Sequence, residues 1–330
     1  MIESSSSLLT PITVIGTGIL HQLLPKISDL AAEEQRRLSP LLNWDELLKE
    51  VASRHNLNEK FNPQLAKNMP ILQWEELTRG LAETSLTKLR SFEAEKILKS
   101  SVIDILNLAQ EEAKRHLNEK KLKDFISVTG NHIVSLNFDT IILGNGDYTR
   151  IKNDKKSRLL HFNQNNKIFW FPHGSTKKTS SVCLGLRQYG FLANTLEKKL
   201  RNFKAYERSF NNDNKSLLKE KDFDKLISTL AYGKEIDPGN LLIGHIFLAP
   251  LILFGVGLSE SEWGLWWVLN QRARNFARVP HLKPPTIIIV DKNDPRQNFW
   301  SMCPAGITPI YVNNWDEGWI IFLEYLEKFK

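Results

Sequence analysis

Short apolar runs alternate along this chain with long segments whose apolar residues recur at helical spacing. Runs of strand length occupy residues 11–15, 133–136, 246–255, 286–290 and 308–312, and glycine, asparagine or aspartate follows several of them. Short apolar runs with such boundaries are typical of buried strands. Because helical segments separate the runs, the pattern predicts an α/β fold with a Rossmann-like, mostly parallel sheet and helices on both faces.

Two long helical segments interrupt the strand pattern. Residues 26–125 repeat apolar side chains every three or four positions, as at Leu47 and Val51, and residues 177–245 are charged with helical character. We expect one domain over residues 1–330. Within it, 26–125 form a helical insertion or lobe, and 177–245 form a second helical insertion.

Composition narrows the class of protein. The 330 residues are 42% hydrophobic and 10% aromatic, which excludes a disordered chain and allows a large core. No apolar run reaches the roughly 18 residues of a membrane-spanning helix, and the serine-rich N-terminal segment has no signal-peptide pattern. Cys183 and Cys303 are the only cysteines, so no disulfide framework is expected. These features predict a cytoplasmic protein that does not enter a membrane.

The net charge of +7 suits a polyanionic partner. The lysines and arginines are dispersed, however, and segments such as 152–156 and 219–225 mix them with acidic residues and asparagine. Such segments are typical of solvated helix faces and loops. A dinucleotide is therefore the favoured anion, and a nucleic-acid-binding stripe is the less favoured alternative.

Gly16, Thr17 and Gly18 follow the first predicted strand. Without side chains, the glycine backbone can approach a phosphate closely, although two glycines after a strand also mark a simple tight turn. Position 21 is His21, so the third glycine of the dinucleotide fingerprint G-x-G-x-x-G is absent. A standard dehydrogenase is therefore disfavoured.

Asn137, Asp139 and His173 are the candidate catalytic residues. Asn137 and Asp139 end the strand around 133–136, and His173 stands between Pro172 and Gly174 after another apolar segment. A carboxamide can hold a water or a ribose hydroxyl, and histidine can act as a base near neutral pH. The alternatives are a turn-forming asparagine, an aspartate that caps the next helix and a structural histidine.

Two further strand ends carry candidate ligand-binding residues. Gly255, Gly257, Leu258 and Ser259 follow the run 246–255 and can approach a phosphate or a ribose, although Ser259 can equally cap the next helix. A second group, Asp291 and Asn293, follows the run 286–290. These residues can bind the ribose of an adenosine, or they can form a plain turn.

The order of these motifs resembles that of sirtuin-type NAD-consuming domains, most closely their bacterial anti-phage branch, which hydrolyses NAD+. The resemblance implies that NAD+ is the substrate and that Asn137 and His173 form the catalytic pair, with Asp139 orienting their network. The first loop departs from the family pattern, because Thr17 replaces the usual alanine and Leu20 the usual serine. The residues that carry the resemblance are Gly16, Gly18, Asn137, Asp139, His173, Gly255, Gly257 and Ser259.

Cysteine content separates the branches of that family. Protein-deacylating sirtuins hold zinc with four closely spaced cysteines, and Cys183 with Cys303 cannot supply such a site. We therefore expect no zinc and no deacylase activity, and we predict hydrolysis of the ribose–nicotinamide bond as an effector of anti-phage defence.

Regulation is expected to come from outside the chain. The resemblance includes the sirtuin-like subunit of Kongming-type systems, which pairs with an inosine-triphosphate-pyrophosphatase-like protein that senses a modified nucleotide. A partner of that kind, or a homo-oligomer, is predicted to activate the enzyme. C-terminal tryptophans such as Trp315 and Trp319 are the predicted contact surface for the partner. The alternative is that they pack in the core. The competing function is a catalytically silent sensor or scaffold that binds NAD+ or another nucleotide.

Overall fold

The computed structural model describes residues 9–85, 89–144, 149–150, 159–209, 238–258, 262–276, 283–303 and 305–330. Its strands are β1 (Ile12–Ile15), β2 (His132–Ser135), β3 (Thr149–Arg150), β4 (Leu160–Gln164), β5 (Lys167–Phe171), β6 (Leu251–Phe254), β7 (Thr286–Asp291) and β8 (Thr308–Val312). Together they form one eight-stranded sheet in the order β3-β4-β5-β2-β1-β6-β7-β8.

Helices fill the connections between the strands. Between β1 and β2 lie α1 (Leu20–Leu23), α2 (Ala32–Leu42), α3 (Trp44–Arg54), α4 (Pro63–Asn68), α5 (Pro70–Thr84), α6 (Ser91–His116) and α7 (Glu119–Val128). After β5 come α8 (Leu186–Ser209), α9 (Pro238–Leu248), α10 (Trp263–Asn275), α11 (Gln297–Ser301) and α12 (Trp315–Lys328). We call α2 to α6 the helical lobe.

The sheet has doubly wound topology. Strands β5, β2, β1, β6, β7 and β8 are parallel neighbours, whereas β3, β4 and β5 pair antiparallel. The predicted α/β fold with a mostly parallel sheet is therefore confirmed. The chain order of the parallel strands reverses between β1 and β6, and ligands of such sheets bind at the carboxyl ends beside this reversal.

Both faces of the sheet are covered, which explains why its central strands read as continuous apolar runs. β1, β2 and β6 are buried along their whole length. One face packs Ile15, Ile133 and Phe254 against the helical lobe and α12, and the opposite face packs other residues of the same strands against α8, α9 and α10.

The predicted strand over 246–255 was wrong at its beginning. Residues up to Leu248 belong to α9, and β6 starts only at Leu251. A continuous apolar run fits a buried helix as well as a buried strand, and Pro250 disfavours helical geometry in the residue before it. Of the predicted helical segment 177–245, the structure describes only the parts up to 209 and from 238.

The C-terminal tryptophans do not share one environment. Trp319 is buried and contacts the rings of Phe125, Phe254 and Phe322, so core packing explains it. Trp315 remains 38% exposed while its ring packs edge-on against Phe254. Over the described ranges, no helix combines the length and apolar character that crossing a membrane requires.

Candidate functional site

The loops after β1 and β6 pack directly on each other at the point where the strand order reverses. The Gly18 amide donates a hydrogen bond to the Gly255 carbonyl oxygen at 3.0 Å. A Cβ atom on Gly16 or Gly18 would collide with Gly255, and Gly255 itself has a left-handed φ of +62°. These three glycines are thus explained by close packing of the backbone, which supports the tight-turn alternative for the first loop.

Gly257 differs from the other three glycines. A Cβ atom built on Gly257 meets nothing within 4 Å, and its φ is not left-handed. The next residue, Leu258, is buried and has a φ of +43°, a strained conformation for a branched side chain. Ser259, the last predicted binding residue of this loop, lies outside the described residues.

A crevice of about 190 Å³ opens beside these loops. Its walls come from the strand-end loops and from the helices, which together contribute Gly16, Thr17, Trp44, Lys67, Pro70, Ile71, Leu136, Asn137, Tyr189, Gly255, Val256, Gly257, Leu258 and Glu262. This volume is below the roughly 300–1,000 Å³ of typical small-molecule sites. A whole dinucleotide therefore extends beyond the crevice unless the helical lobe moves outward.

Asn137 lines the crevice at the carboxyl end of β2. Its backbone amide donates to the Ser135 hydroxyl at 3.3 Å, and its side chain is buried. The Nδ2 atom is inaccessible to solvent and has no hydrogen-bond partner among the described residues. A buried amide without a partner costs free energy, and a ligand oxygen would satisfy this one.

Asp139 shapes the loop instead of lining the main crevice. Its Oδ1 accepts a hydrogen bond from the Ile141 amide at 3.1 Å, as expected of the capping alternative. Burial raises the pKa of Asp139 to about 6, although the Ile141 amide and the Asn137 side chain lower it in part. The Asn137 amide lowers the pKa of Asp139 without meeting the geometric criteria of a hydrogen bond, because Asn137 Nδ2 has no hydrogen-bond partner among the described residues. Asp139 lines a neighbouring cavity of about 40 Å³, together with Asn137 and Trp44.

His173 is buried directly behind Asn137. Its Nδ1 atom lies 3.1 Å from the carbonyl oxygen of Leu136, the residue before Asn137. Because a carbonyl oxygen only accepts, Nδ1 is the donor of this hydrogen bond, and in the tautomer with one proton on Nδ1 the lone pair lies on Nε2. That Nε2 atom lies 3.6 Å from Glu262 Oε2. His173 therefore contacts the residue before Asn137 and faces a carboxylate of the crevice wall, although His173 itself does not line the crevice.

The loop that carries His173 has a fixed shape. Gly174 has a left-handed φ of +88°, and a Cβ atom there would collide with the Ser181 carbonyl oxygen. The Cys183 amide donates to the His173 carbonyl oxygen at 2.8 Å. The predicted bracketing glycine is therefore required by the backbone, and the imidazole is held in one place.

Gln110 ties the helical lobe to the loops that carry Asn137 and His173. Its Oε1 accepts from the Thr140 amide at 2.9 Å, and its Nε2 donates to the Thr176 hydroxyl at 3.0 Å. The Thr176 amide in turn donates to the Phe138 carbonyl oxygen at 2.9 Å. Movement of α6 would therefore displace the loops of Asn137 and His173 together.

Asp291 and Asn293 lie at the end of β7 but do not line the crevice. The Asn293 amide donates to Asp291 Oδ1 at 2.7 Å, which makes the plain turn that was the alternative interpretation. The neighbouring Arg296 does reach the site, because its Nη1 donates to the Gly257 carbonyl oxygen at 2.6 Å. Asp294 holds the same guanidinium at 2.8 Å.

Several residues of the crevice escaped sequence analysis. Glu262 stands only a few positions beyond the glycine loop, so its place after a strand end was the available signal. Trp44, Lys67 and Tyr189 come from helices whose sequence gives no sign of which side chains face the sheet. No motif spacing predicts them, because the folding of the helical lobe over the sheet brings them there.

Metal-ligating geometry occurs elsewhere. Within the described ranges, one group of potential ligands meets the distance requirement, Glu34 with Glu112 and His116 in the helical lobe. Glu112 already pairs with Arg37 at 3.3 Å and Arg115 at 3.1 Å, so two cations occupy the place of a metal ion. Cys183 and Cys303 are unpaired thiols, and burial raises the pKa of Cys183 to about 11.

Comparison with known proteins adds no relative to this description. No protein-family model, curated protein or solved structure matches the chain. The function is therefore inferred from the geometry of the crevice and from the motif order.

Proposed function

We propose that this chain is an NAD+ hydrolase that cleaves the ribose–nicotinamide bond. One observation carries the proposal: Asn137 lines a crevice beside the reversal of strand order, and His173 hydrogen-bonds through Nδ1 to the carbonyl oxygen of Leu136, the residue before Asn137. Doubly wound sheets bind dinucleotides at this position.

The chemistry required is that of glycoside cleavage. Departure of nicotinamide leaves oxocarbenium-like positive charge on the ribose, and water then attacks the anomeric carbon. In the proposed mechanism His173 Nε2 removes a proton from the water or from a ribose hydroxyl, and the Asn137 amide holds that oxygen in place. Thr17 and Gly257 offer backbone to the rest of the dinucleotide.

The biological setting proposed is anti-phage defence in the cytoplasm. Loss of NAD+ would arrest the infected cell, so the enzyme must be silent until infection is sensed. The crevice as described is too small for a whole dinucleotide, which supports activation by a change in the helical lobe. A partner resembling inosine triphosphate pyrophosphatase, or assembly of several copies, would supply that change. No zinc takes part.

Turnover of NAD+ tests the proposal. The purified chain is assayed over a wide concentration range, alone and with the candidate partner and its modified nucleotide. Activity is expected only in the assembled state, and His173→Ala should lower it by roughly 100-fold or more because the base is lost. His55→Ala at the end of α3 serves as the matched control. Full NAD+ loss with His173→Ala would contradict the proposal.

The alternative function is a nucleotide-binding sensor without turnover. The small crevice and the contact of Glu262 with the essential nitrogen of His173 favour it. Intact NAD+ after incubation with the activated complex, together with measurable NAD+ binding, would identify this function.

A further inference from the structure

Glu262 is a half-buried carboxylate that lines the crevice, with 21% of its side chain exposed. Its Oε2 atom is inaccessible to solvent and has no hydrogen-bond partner among the described residues. The basic side chain within 4 Å of it, over the same residues, is that of His173, whose Nε2 is 3.6 Å away. This distance is too long for a hydrogen bond, so nothing among the described residues compensates Oε2 for its loss of water.

Tyr189 forms the wall of the crevice beside Glu262. Tyr189 packs its ring against the His173 ring, with 5.3 Å between centroids, and forms the neighbouring wall. Burial, with the added charge of Glu262, raises the pKa of the Tyr189 phenol well above its usual value, so it stays neutral. The carboxylate is therefore the one acidic group among the described residues that line this crevice.

Two side-chain atoms of the crevice wall have no hydrogen-bond partner among the described residues: Glu262 Oε2, which as a carboxylate oxygen accepts, and Asn137 Nδ2, which only donates. His173 Nε2, 3.6 Å from Glu262 Oε2, is a second acceptor when Nδ1 carries the proton. The acceptors Glu262 Oε2 and His173 Nε2 require two donor groups close together on the ligand. The donor Asn137 Nδ2 requires a ligand oxygen with a free lone pair. The vicinal hydroxyls of a ribose supply both, because each hydroxyl donates one hydrogen bond and accepts others.

We infer that Glu262 is a substrate-contacting residue that accepts a hydrogen bond from a ribose hydroxyl of the ligand, with His173 accepting from its neighbour. The inference rests on the proposed function, in which the ligand is NAD+ and therefore carries a ribose next to nicotinamide. It adds the ligand group that the site recognises. Ligands must carry a ribose with free vicinal hydroxyls at this end of the dinucleotide. Removing the carboxylate charge should weaken that recognition and leave the binding of the diphosphate and adenosine portions intact.

The test measures equilibrium binding of adenosine diphosphate ribose and of ADP, which lacks the second ribose, by titration calorimetry. Neither probe has a ribose–nicotinamide bond to cleave, so turnover does not enter the result, and the titration uses the activated assembly as well as the chain alone because the crevice has to open for a dinucleotide. Wild type is expected to bind adenosine diphosphate ribose about tenfold or more tightly than ADP, as a hydrogen bond to a charged group predicts. Glu262→Gln should lose that difference while its affinity for ADP stays unchanged. Glu327→Gln, an exposed carboxamide substitution on α12, is the matched control.

Each outcome separates the two ideas. If Glu262→Gln keeps the wild-type preference for adenosine diphosphate ribose, the inference is overturned and the proposed function stands. If wild type binds neither probe, the proposed function fails as well. A thermal melt of each variant guards against misfolding: because Oε2 has no hydrogen bond to lose, Glu262→Gln should melt no lower than wild type. A melting temperature well below wild type would mark Glu262 as structural and overturn the inference.

Discussion

The sheet buries polar side chains in two regions that differ in what surrounds them. At the carboxyl ends of the strands, Asn137 and Glu262 line a crevice, and His173 lies 3.6 Å from the Glu262 carboxylate. On the face covered by α8, α9 and α10 lies a histidine cluster, which we define as His132, His161 and His245. All three of its rings are buried in packed core.

The histidine cluster is organised by Trp170. The Trp170 indole donates to His132 Nδ1 at 3.1 Å, and the His161 ring stacks on the indole with 4.5 Å between centroids. The rings of His132 and His245 lie 4.4 Å apart. These contacts hold the three rings inside the core, so the residue type proposed as a base at one place is structural at the other.

Arg272 shows the same contrast for a cation. It is fully buried at the amino ends of β6 and β7, where its Nη2 donates to the carbonyl oxygens of Ala249 and Pro284 at 2.8 Å. Arg272 Nε and His161 Nε2 also lack hydrogen-bond partners among the described residues. A missing partner is therefore not enough to mark a functional site, and the deciding feature is an adjacent cavity.

The largest effect is expected from Arg272. Arg272→Met leaves several buried carbonyl oxygens without donors and should lower the free energy of unfolding by about 3 kcal/mol or more. Urea denaturation near neutral pH measures the change, and Arg274→Met, an exposed position on the same helix, should change stability by less than about 0.5 kcal/mol. A loss at Arg272 as small as the control would break the contrast between the two regions.

Acid should destabilise the fold through the histidine cluster. Burial, with the charges of His245 and His161, lowers the pKa of His132 well below its ordinary value of 6.5. The unfolded chain binds a proton at its ordinary pKa while folded His132 stays neutral. Stability is therefore complete above pH 6.5 and falls below it, by about 1.4 kcal/mol per pH unit for this one group.

His132→Gln should flatten that part of the pH profile, because an amide can still accept from Trp170 without titrating. The measurement is urea denaturation between about pH 7.5 and pH 5, with His116→Gln of the helical lobe as the control. An unchanged slope in His132→Gln would show that the cluster does not govern acid stability.

The smallest effect on stability is expected at Asn137. Its Nδ2 atom has no hydrogen bond to lose, so Asn137→Ala should shift the free energy of unfolding by less than about 1 kcal/mol while NAD+ cleavage is abolished. Paired measurement of the thermal melt and of NAD+ turnover separates the two effects. A large loss of melting temperature would place Asn137 with Arg272 among the structural residues.

Sequence was sufficient for the architecture because buried parallel strands leave short apolar runs at regular places. β8 was predicted at its observed bounds, and the candidate residues Gly16, Asn137 and Gly257 do meet at one edge. The start of β6 could not be predicted, since an apolar run shared with α9 has no period that distinguishes helix from strand.

The crevice residues that come from helices were harder to predict than those at the strand ends. Lys67, Trp44 and Tyr189 reach the crevice only because helices distant in sequence fold over the sheet. The roles of the glycines were also invisible, because only the structure shows that Gly16 and Gly18 pack against Gly255 while Gly257 faces open space. Local sequence predicts where the chain turns. Whether a glycine in the turn packs against another loop or faces open space depends on tertiary packing.

Binding of NAD+ to Gly257→Phe tests most directly the claim that the crevice beside β1 and β6 holds the dinucleotide. Gly257 lines the crevice, and a Cβ atom there meets no neighbour, so the ring should fill the site without disturbing the fold. Gly190→Phe, an equally open and exposed glycine on α8, is the matched control. We expect NAD+ to bind to the control as to wild type and not to Gly257→Phe. Equal NAD+ affinity in both variants, with normal melting curves, would contradict it.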